Sequence, residues 1–296
     1  MIQINTSTTK RTPKNKGAGN WGKLSIIAIA GFILSIIFIA TQYGTNADNP
    51  LSFYLNLANP YVRYVTINPG MRIAEIGDKV SKTIAWTDKD RQSFMDSAPR
   101  DDNGPMEGFF MPGSYWINID ATGKEVADQG MAEFNKEVGD KVLADKQTKT
   151  SAQKINLETA VRIASIIQRE AAGKNDMNLI SGVIWNRLFK GMNLGMDATL
   201  QYAKGSQGNW WPKVLSADKK IDSPYNTYSN IGLPPTAISN ISIDALKAAY
   251  NPQNTDCMYY LHDNNRKIHC SKTYDQHKNN IQTYLIGVRN TKKVVN

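Results

Sequence analysis

Residues Leu24 to Thr41 (LSIIAIAGFILSIIFIAT) form an uncharged apolar run of 18 residues. As one helix the run spans ~27 Å, close to the hydrocarbon thickness of a bilayer. It has no polar face, so it does not suit the half-buried helix of a globular core. The 23 residues before it carry Lys10, Arg11, Lys14, Lys16 and Lys23 and no acid. Basic flanks stay in the cytoplasm, so everything after Gln42 belongs outside. A cleavable leader is the competing reading, because Thr45–Asn46–Ala47 loosely resembles a small-x-small cleavage site. The long leading segment and the length of the apolar run argue against it. The chain is therefore expected to be single-pass in the cell membrane, with its N-terminus in the cytoplasm and its folded part on the periplasmic or wall side.

That division changes how the charge is read. The chain of 296 residues has 35 Lys and Arg against 26 Asp and Glu. Setting aside the five cations of the tail leaves 30 basic against 26 acidic residues, a mild excess compatible with an anionic polymer or with headgroups. No Arg/Lys stripe and no nucleic-acid-binding motif is present, so a nucleic-acid partner is not expected. The two cysteines, Cys257 and Cys270, lie thirteen residues apart on adjacent strand candidates. Outside the cytoplasm they could join as a disulfide or stand as two buried thiols. His262, His269 and His277 lack a recognised zinc spacing, so no metal and no cofactor are expected.

Residues 1–23 are polar, basic and read as a disordered tail, and residues 42–59 as a juxtamembrane linker. Tyr61–Thr66 alternates like a strand, Asn68–Pro69–Gly70 turns, and Ile73, Ile76 and Val80 give helical spacing. These predict a small α+β module over residues 60–105, with a further amphipathic stretch at Asp88–Ala98 and a loop at Asp101–Pro105. A larger domain, of mixed α/β type, is assigned to residues 106–290. Within it, residues 123–148 read as a polar, solvated helix. A stronger helix starts at Asn156, whose side chain can cap free amides. Another runs from Met177 to Phe189. A helix at Ile243–Tyr250 then precedes strands at Met258–Leu261 and Lys267–Cys270. The fold class is α+β throughout, behind the transmembrane helix.

One carboxylate is oddly placed. Ile163, Ile166 and Ile167 repeat at three and four residues, and the next member of that stripe is Glu170. A helix C-terminal end disfavours an anion, so an inert surface role explains the position poorly. An apolar surround would raise its pKa, as a general acid requires. Asp197 follows a Gly-bounded turn, where most Asp residues merely cap. The run Tyr225–Asn226–Thr227–Tyr228, with Gly232–Leu233–Pro234–Pro235 after it, offers flat faces and short hydrogen-bonding arms that suit sugar rings. Trp210 and Trp211 add flat area, with core or interfacial packing as the plainer reading. No nucleophile elbow, P-loop or dinucleotide fingerprint is present.

Several blocks in order resemble the YceG-like family. They are Glu107–Gly108–Phe109 with Pro112 and Tyr115; Ala164–Ser165–Ile166 through Glu170; Asn186–Arg187–Leu188; and Gly191–Met192. Further on come Asp197–Ala198–Thr199 with Gln201–Tyr202; Tyr225–Tyr228; Gly232–Pro235; Ala248–Ala249; Asn251–Pro252; Tyr259–Tyr260; and Ser271–Lys272–Thr273 with His277. The resemblance spans about residues 60–285. It implies a LysM-like subdomain near the membrane and a catalytic domain that cuts the MurNAc–GlcNAc bond inside peptidoglycan strands, leaving 1,6-anhydro-MurNAc ends and terminating or trimming strand growth. It maps the catalytic glutamate onto Glu170. Asp197, Asn186, Arg187, Gln201, Tyr225, Asn226, Thr227 and Tyr228 become substrate-binding or supporting residues. Glycan strands are the implied partner, with peptidoglycan synthases (penicillin-binding proteins) as a further one.

Two departures stand out. Some members carry a second acid where this chain has Gln168, and a family histidine falls on Ile268, with His269 beside it. A single carboxylate suits a lyase, in which the sugar's own C6 hydroxyl attacks C1. Ordinary glycosidases use two acids, roughly 5–9.5 Å apart. The competing readings are a non-catalytic wall-binding scaffold and a muramidase-type hydrolase with Asp197 as the second acid.

Overall fold

The computed structural model describes residues 50–97, 100–101, 104–105, 107–145 and 155–286. The basic tail and the apolar run at 24–41 lie outside these. Among the described residues no helix is long and apolar enough to cross a membrane. The chain divides into two compact units at Asn59 and Pro60. In the first, helix α1 (Pro50–Ala58) occupies what was expected to be linker. Proline at the start of a helix loses no needed hydrogen bond there, which is why Pro50 opens this helix and does not break it.

The second unit begins with a small module. Strand β1 (Val62–Ile67) leads through a turn into helix α2 (Ile73–Ile84) and helix α3 (Asp88–Ser97). Two short strands, β2 (Arg100–Asp101) and β3 (Gly104–Pro105), pair where a plain loop was expected. Strand β4 (Gly113–Asn118) then returns antiparallel to β1, with Val65 opposite Tyr115. Alternation buries Val65 and Ile67 on one strand and Tyr115 and Ile117 on the other, all against Ile76, Val80 and Phe94. The expected boundary at 105 therefore falls inside the module, since β1 finds its partner beyond it. Pairing over that distance leaves no periodic trace in sequence.

Helix α4 (Gly123–Val138) extends the same core. Thr122 and Glu125 form a reciprocal capping box at its start, with Glu125 Oε2 accepting the Thr122 amide at 2.8 Å. The expected solvated helix is in fact one-sided, burying Val126, Ala127, Gly130, Phe134 and Val138. Its stripe is hidden in sequence because two members are small. Gly130 has to be small: a Cβ there would lie 2.2 Å from the Phe110 ring. A π-helical turn, Gly139–Leu143, closes the segment.

The larger core surrounds helix α5 (Leu157–Glu170), whose Ala160, Val161, Ile163, Ala164, Ile166 and Ile167 are fully buried. Asn156 caps it, its Oδ1 accepting the Thr159 amide at 2.8 Å. Helix α6 (Lys174–Phe189) packs on α5 and starts three residues before the expected Met177. Helix α7 (Asp197–Lys204) follows a glycine turn, and a 3-10 turn covers Ser216–Lys220. Helix α8 (Ile243–Tyr250) packs across α5 and α6. Strands β5 (Tyr259–His262) and β6 (Ile268–Ser271) form an antiparallel hairpin, one residue later than predicted. Helix α9 (Tyr274–Ile281) and a π-helical turn end the described chain. All the sheets among the described residues are two-stranded and antiparallel. The larger domain is thus helical with a hairpin, a mixed arrangement in keeping with the α+β class expected for the chain.

Candidate active site

Glu170 is the last residue of α5, and the stripe that buries the helix delivers its carboxyl into the interior. The residue keeps part of its surface accessible, while burial of the carboxyl is the main force holding its pKa above the ordinary range. Nearby Asp197 adds to the rise, and a hydroxyl, an amide and His262 oppose it. The hydroxyl is that of Tyr260, donating to Oε2 at 2.9 Å. The amide is that of Ala198, donating to Oε1 at 3.3 Å. The Tyr260 hydroxyl also lies 3.4 Å from Met196 Sδ. Burial and the neighbouring carboxyl hold the phenol of Tyr260 well above its usual value, so it remains a donor. The amide comes from the first turn of α7, whose positive end offsets the unfavourable end of α5.

Asp197 is exposed at the start of α7 and accepts the Tyr228 hydroxyl at 2.6 Å. The Tyr228 ring carries the Lys219 ammonium 4.4 Å from its centre. Gly195 makes the turn before α7 with φ of +57°, and its amide bonds the Thr227 carbonyl at 2.9 Å. Thr227 is buried, and its Oγ1 accepts the Met196 amide at 3.0 Å and lies 2.9 Å from Thr199 Oγ1. Asn226 is fully buried, donating to the carbonyls of Lys219 and Ile221 and accepting from the Tyr228 amide. Tyr225 shares a 2.8 Å hydrogen bond with Thr236. Of this run, Tyr228 alone reaches Asp197. The other three build the loop that aims it.

Asn186 and Arg187 serve the hairpin. Asn186 donates to the carbonyls of Thr255 and Cys257, and Arg187 to those of Met258 and Leu194. They fix the approach to β5 and hence Tyr260. Cys257 and Cys270 are joined as a disulfide, which ties the same hairpin across its open end. Gln201 contributes its carbonyl, which accepts from Arg72 at 2.7 Å. Gln168, where a second acid could have stood, accepts the Ser242 amide at 3.0 Å and helps start α8. His269 pairs with Asp263 at 2.9 Å and stacks on Tyr284, and Ile268 packs against the core. Trp211 lies under Arg169 at 3.6 Å and under Arg72 at 4.7 Å. Its ring is thus engaged by guanidinium groups, and it lines, with Trp210, Arg169 and Lys79, a groove of about 590 Å³ beside α2.

Sequence reasoning missed Tyr260. It sat within a Tyr–Tyr pair, and strand parity alone decides which ring points at Glu170. Arg72, Glu107 and Tyr202, which link the small module to α7, were missed as a group. No periodic signal joins residues so far apart in the chain.

A model of the YceG-like family matches residues 42–283. The chain is 29% identical over 267 residues to the endolytic murein transglycosylase of Bacillus subtilis (strain 168), covering 84% of this chain and 72% of that one. It is 28% identical over 199 residues to that of Streptococcus pneumoniae serotype 2, covering 65% of this chain and 35% of the relative, about a third of that protein's length. The crystal structure of a YceG-like protein from Listeria monocytogenes superposes with a TM-score of 0.63 at 27% identity, covering 73% of this chain and 75% of that one. With most of its length matched in order, the chain belongs to the YceG-like family.

Proposed function

We propose that the chain is a peptidoglycan lytic transglycosylase that cuts the MurNAc–GlcNAc bond within glycan strands. The observation that carries this reading is the burial of Glu170 between a phenol donor and a helix amide. Burial favours the protonated form of this carboxyl more than water would, and the acid can give its proton to the leaving oxygen. As the C1–O bond breaks, the C6 hydroxyl of the same MurNAc bonds to C1. The proton it loses passes to the Glu170 carboxylate, which restores the acid. No water is consumed, so no second carboxylate is required to activate one. Similarity to relatives named endolytic murein transglycosylases supports the substrate class. Strand trimming or termination during wall growth follows from cutting internal bonds.

Asp197 is the one feature that favours a hydrolase, being an exposed carboxylate close enough to Glu170 to raise its pKa. Mass spectrometry of purified strands treated with the protein separates the readings. Anhydro-MurNAc ends are expected, and reducing MurNAc ends would overturn the lyase. Glu170→Gln is expected to lower turnover by about 10²–10⁴, the usual worth of a general acid; full activity in that variant would overturn the assignment.

The apolar run at 24–41 is our proposed anchor, with the folded part outside the membrane and near the synthases that make its substrate. Protease added to intact spheroplasts is then expected to degrade residues beyond 42 and to spare a tag at the N-terminus. Protection of both ends would reject this topology.

A further inference from the structure

Arg72 stands immediately before α2, in the small module, yet its guanidinium serves the other domain. It is buried, at 5% exposure, and donates to the carbonyls of Gln201 at 2.7 Å and Gly205 at 3.2 Å. Those carbonyls end helix α7, where a cation is favoured by the helix dipole. The same group lies 4.3 Å from the centre of the Tyr202 ring. Glu107, at 4% exposure, accepts the Ile73 amide at 2.7 Å and the Tyr202 hydroxyl at 3.2 Å. Its turn is locked against the helix of Glu170: Gly108 has φ of +97°, and a Cβ there would lie 2.4 Å from Val161 Cγ1. One end of α7 is therefore held by these three side chains. The other end presents the Ala198 amide to Glu170.

We propose that Arg72, Glu107 and Tyr202 are positioning residues that set α7 against Glu170, so that the small module acts on the chemical step and not only on substrate binding. This rests on Glu170 being the acid–base group. A buried, bidentate guanidinium and a buried carboxyl are costly unless their partners are fixed. Here the hydrogen-bond partners of these two side chains lie on α7, at its C-cap Gly205 or at the start of α2, and Trp211 adds a ring 4.7 Å from the guanidinium. A rigid helix of eight residues transmits that constraint along its axis. If the grip loosens, the Ala198 amide withdraws and the Glu170 carboxylate loses a donor. The remaining groups facing Glu170 are Tyr260, Asp197, His262, Tyr228, Arg169 and Arg187, and none of them replaces that amide.

The test uses the full chain in detergent, with kcat and KM measured separately on purified glycan strands, well below each variant's melting temperature. Arg72→Lys, Tyr202→Phe and Glu107→Ala are expected to lower kcat about tenfold, the worth of one charge-assisted hydrogen bond, with KM unchanged. The alkaline limb of the kcat–pH profile should move upward, because loss of a donor to the carboxylate favours the acid. Glu107→Gln keeps an acceptor for Ile73 and a partner for Tyr202, and should recover most of the kcat. A rise in KM alone, an unmoved pH limb, or a Glu107→Gln variant as impaired as Glu107→Ala would overturn the proposal. Glu170→Gln is run in parallel. Its inactivity with normal positioning variants would sink the positioning role only, whereas its full activity would sink the underlying reading.

Discussion

Two buried carboxyls dominate at the scale of single residues, and they respond to pH in the same direction. Burial pushes Glu107 up to about 8, against the donors Ile73 and Tyr202 and the nearby Arg72. Glu158 and Arg162 share the small cavity that Glu107 lines. A carboxyl whose folded pKa exceeds its unfolded value of 4.5 binds more protons in the folded chain. Its contribution is therefore full below that value and is lost as pH rises from there through about 8. Urea midpoints are expected to fall across this window, and Glu107→Gln should flatten much of the slope. An unchanged slope in the variant would mean that Glu107 is already solvated. Tyr260→Phe tests the other carboxyl. It removes a donor to the Glu170 carboxylate, so the alkaline limb of activity should rise while kcat falls about tenfold. Glu170 itself was legible from four positions of one stripe, since helix period is a local property. Tyr260 was not, because its partner lies ninety residues away.

Among the elements, the hairpin of β5 and β6 is the most consequential for the site. It carries Tyr260, and it is held by Asn186 and Arg187 on one side and by the Cys257–Cys270 bond across its end. Closing a loop of this size is worth about 3 kcal/mol in the chain-entropy model. Reductant, or the double change Cys257→Ser with Cys270→Ser, should lower the melting temperature and reduce activity together. Loss of stability with full activity at low temperature would show that packing alone places Tyr260. A second element, the turn at 107–110, depends on Gly108. Gly108→Ala meets both a positive φ and the Val161 side chain, so a loss of about 2–4 kcal/mol is expected from strain and overpacking. Both strands of the hairpin and helix α8 were readable from alternation and spacing. Which element each would touch was not, because amphipathic periods report that a face is buried and say nothing of its partner.

The whole molecule shows the same gap between local pattern and long-range pairing, and here it yields a testable division of the chain. Local signals placed a module boundary at 105, after a strand, a turn and two helices that look complete. The structure closes that module with β4 and α4, at residues 113–118 and 123–138. Helix α4 belongs to both cores, since Val126 and Ala127 pack with Ile76 and Phe94 while Phe134 and Val138 pack around α5. Phe110 and Met111, adjacent in the chain, likewise fall one into each core. Two cores that share a helix and a strand approach cannot be separated without exposing apolar area on both, at roughly 25 cal/mol per Å². A fragment of residues 106–290 would leave β4 as an unpaired edge and strip the module's helices from α4. It is expected to aggregate or to bind hydrophobic dye without a cooperative melt. A fragment of residues 60–286 keeps both cores and should unfold in one transition, with coincident circular dichroism and fluorescence midpoints. Two resolved transitions in the longer fragment, or a cooperative melt in the shorter one, would show that the cores are energetically independent. In that case α7 could not carry a constraint from Arg72 to Glu170, because the module would be free to part from the helix it grips.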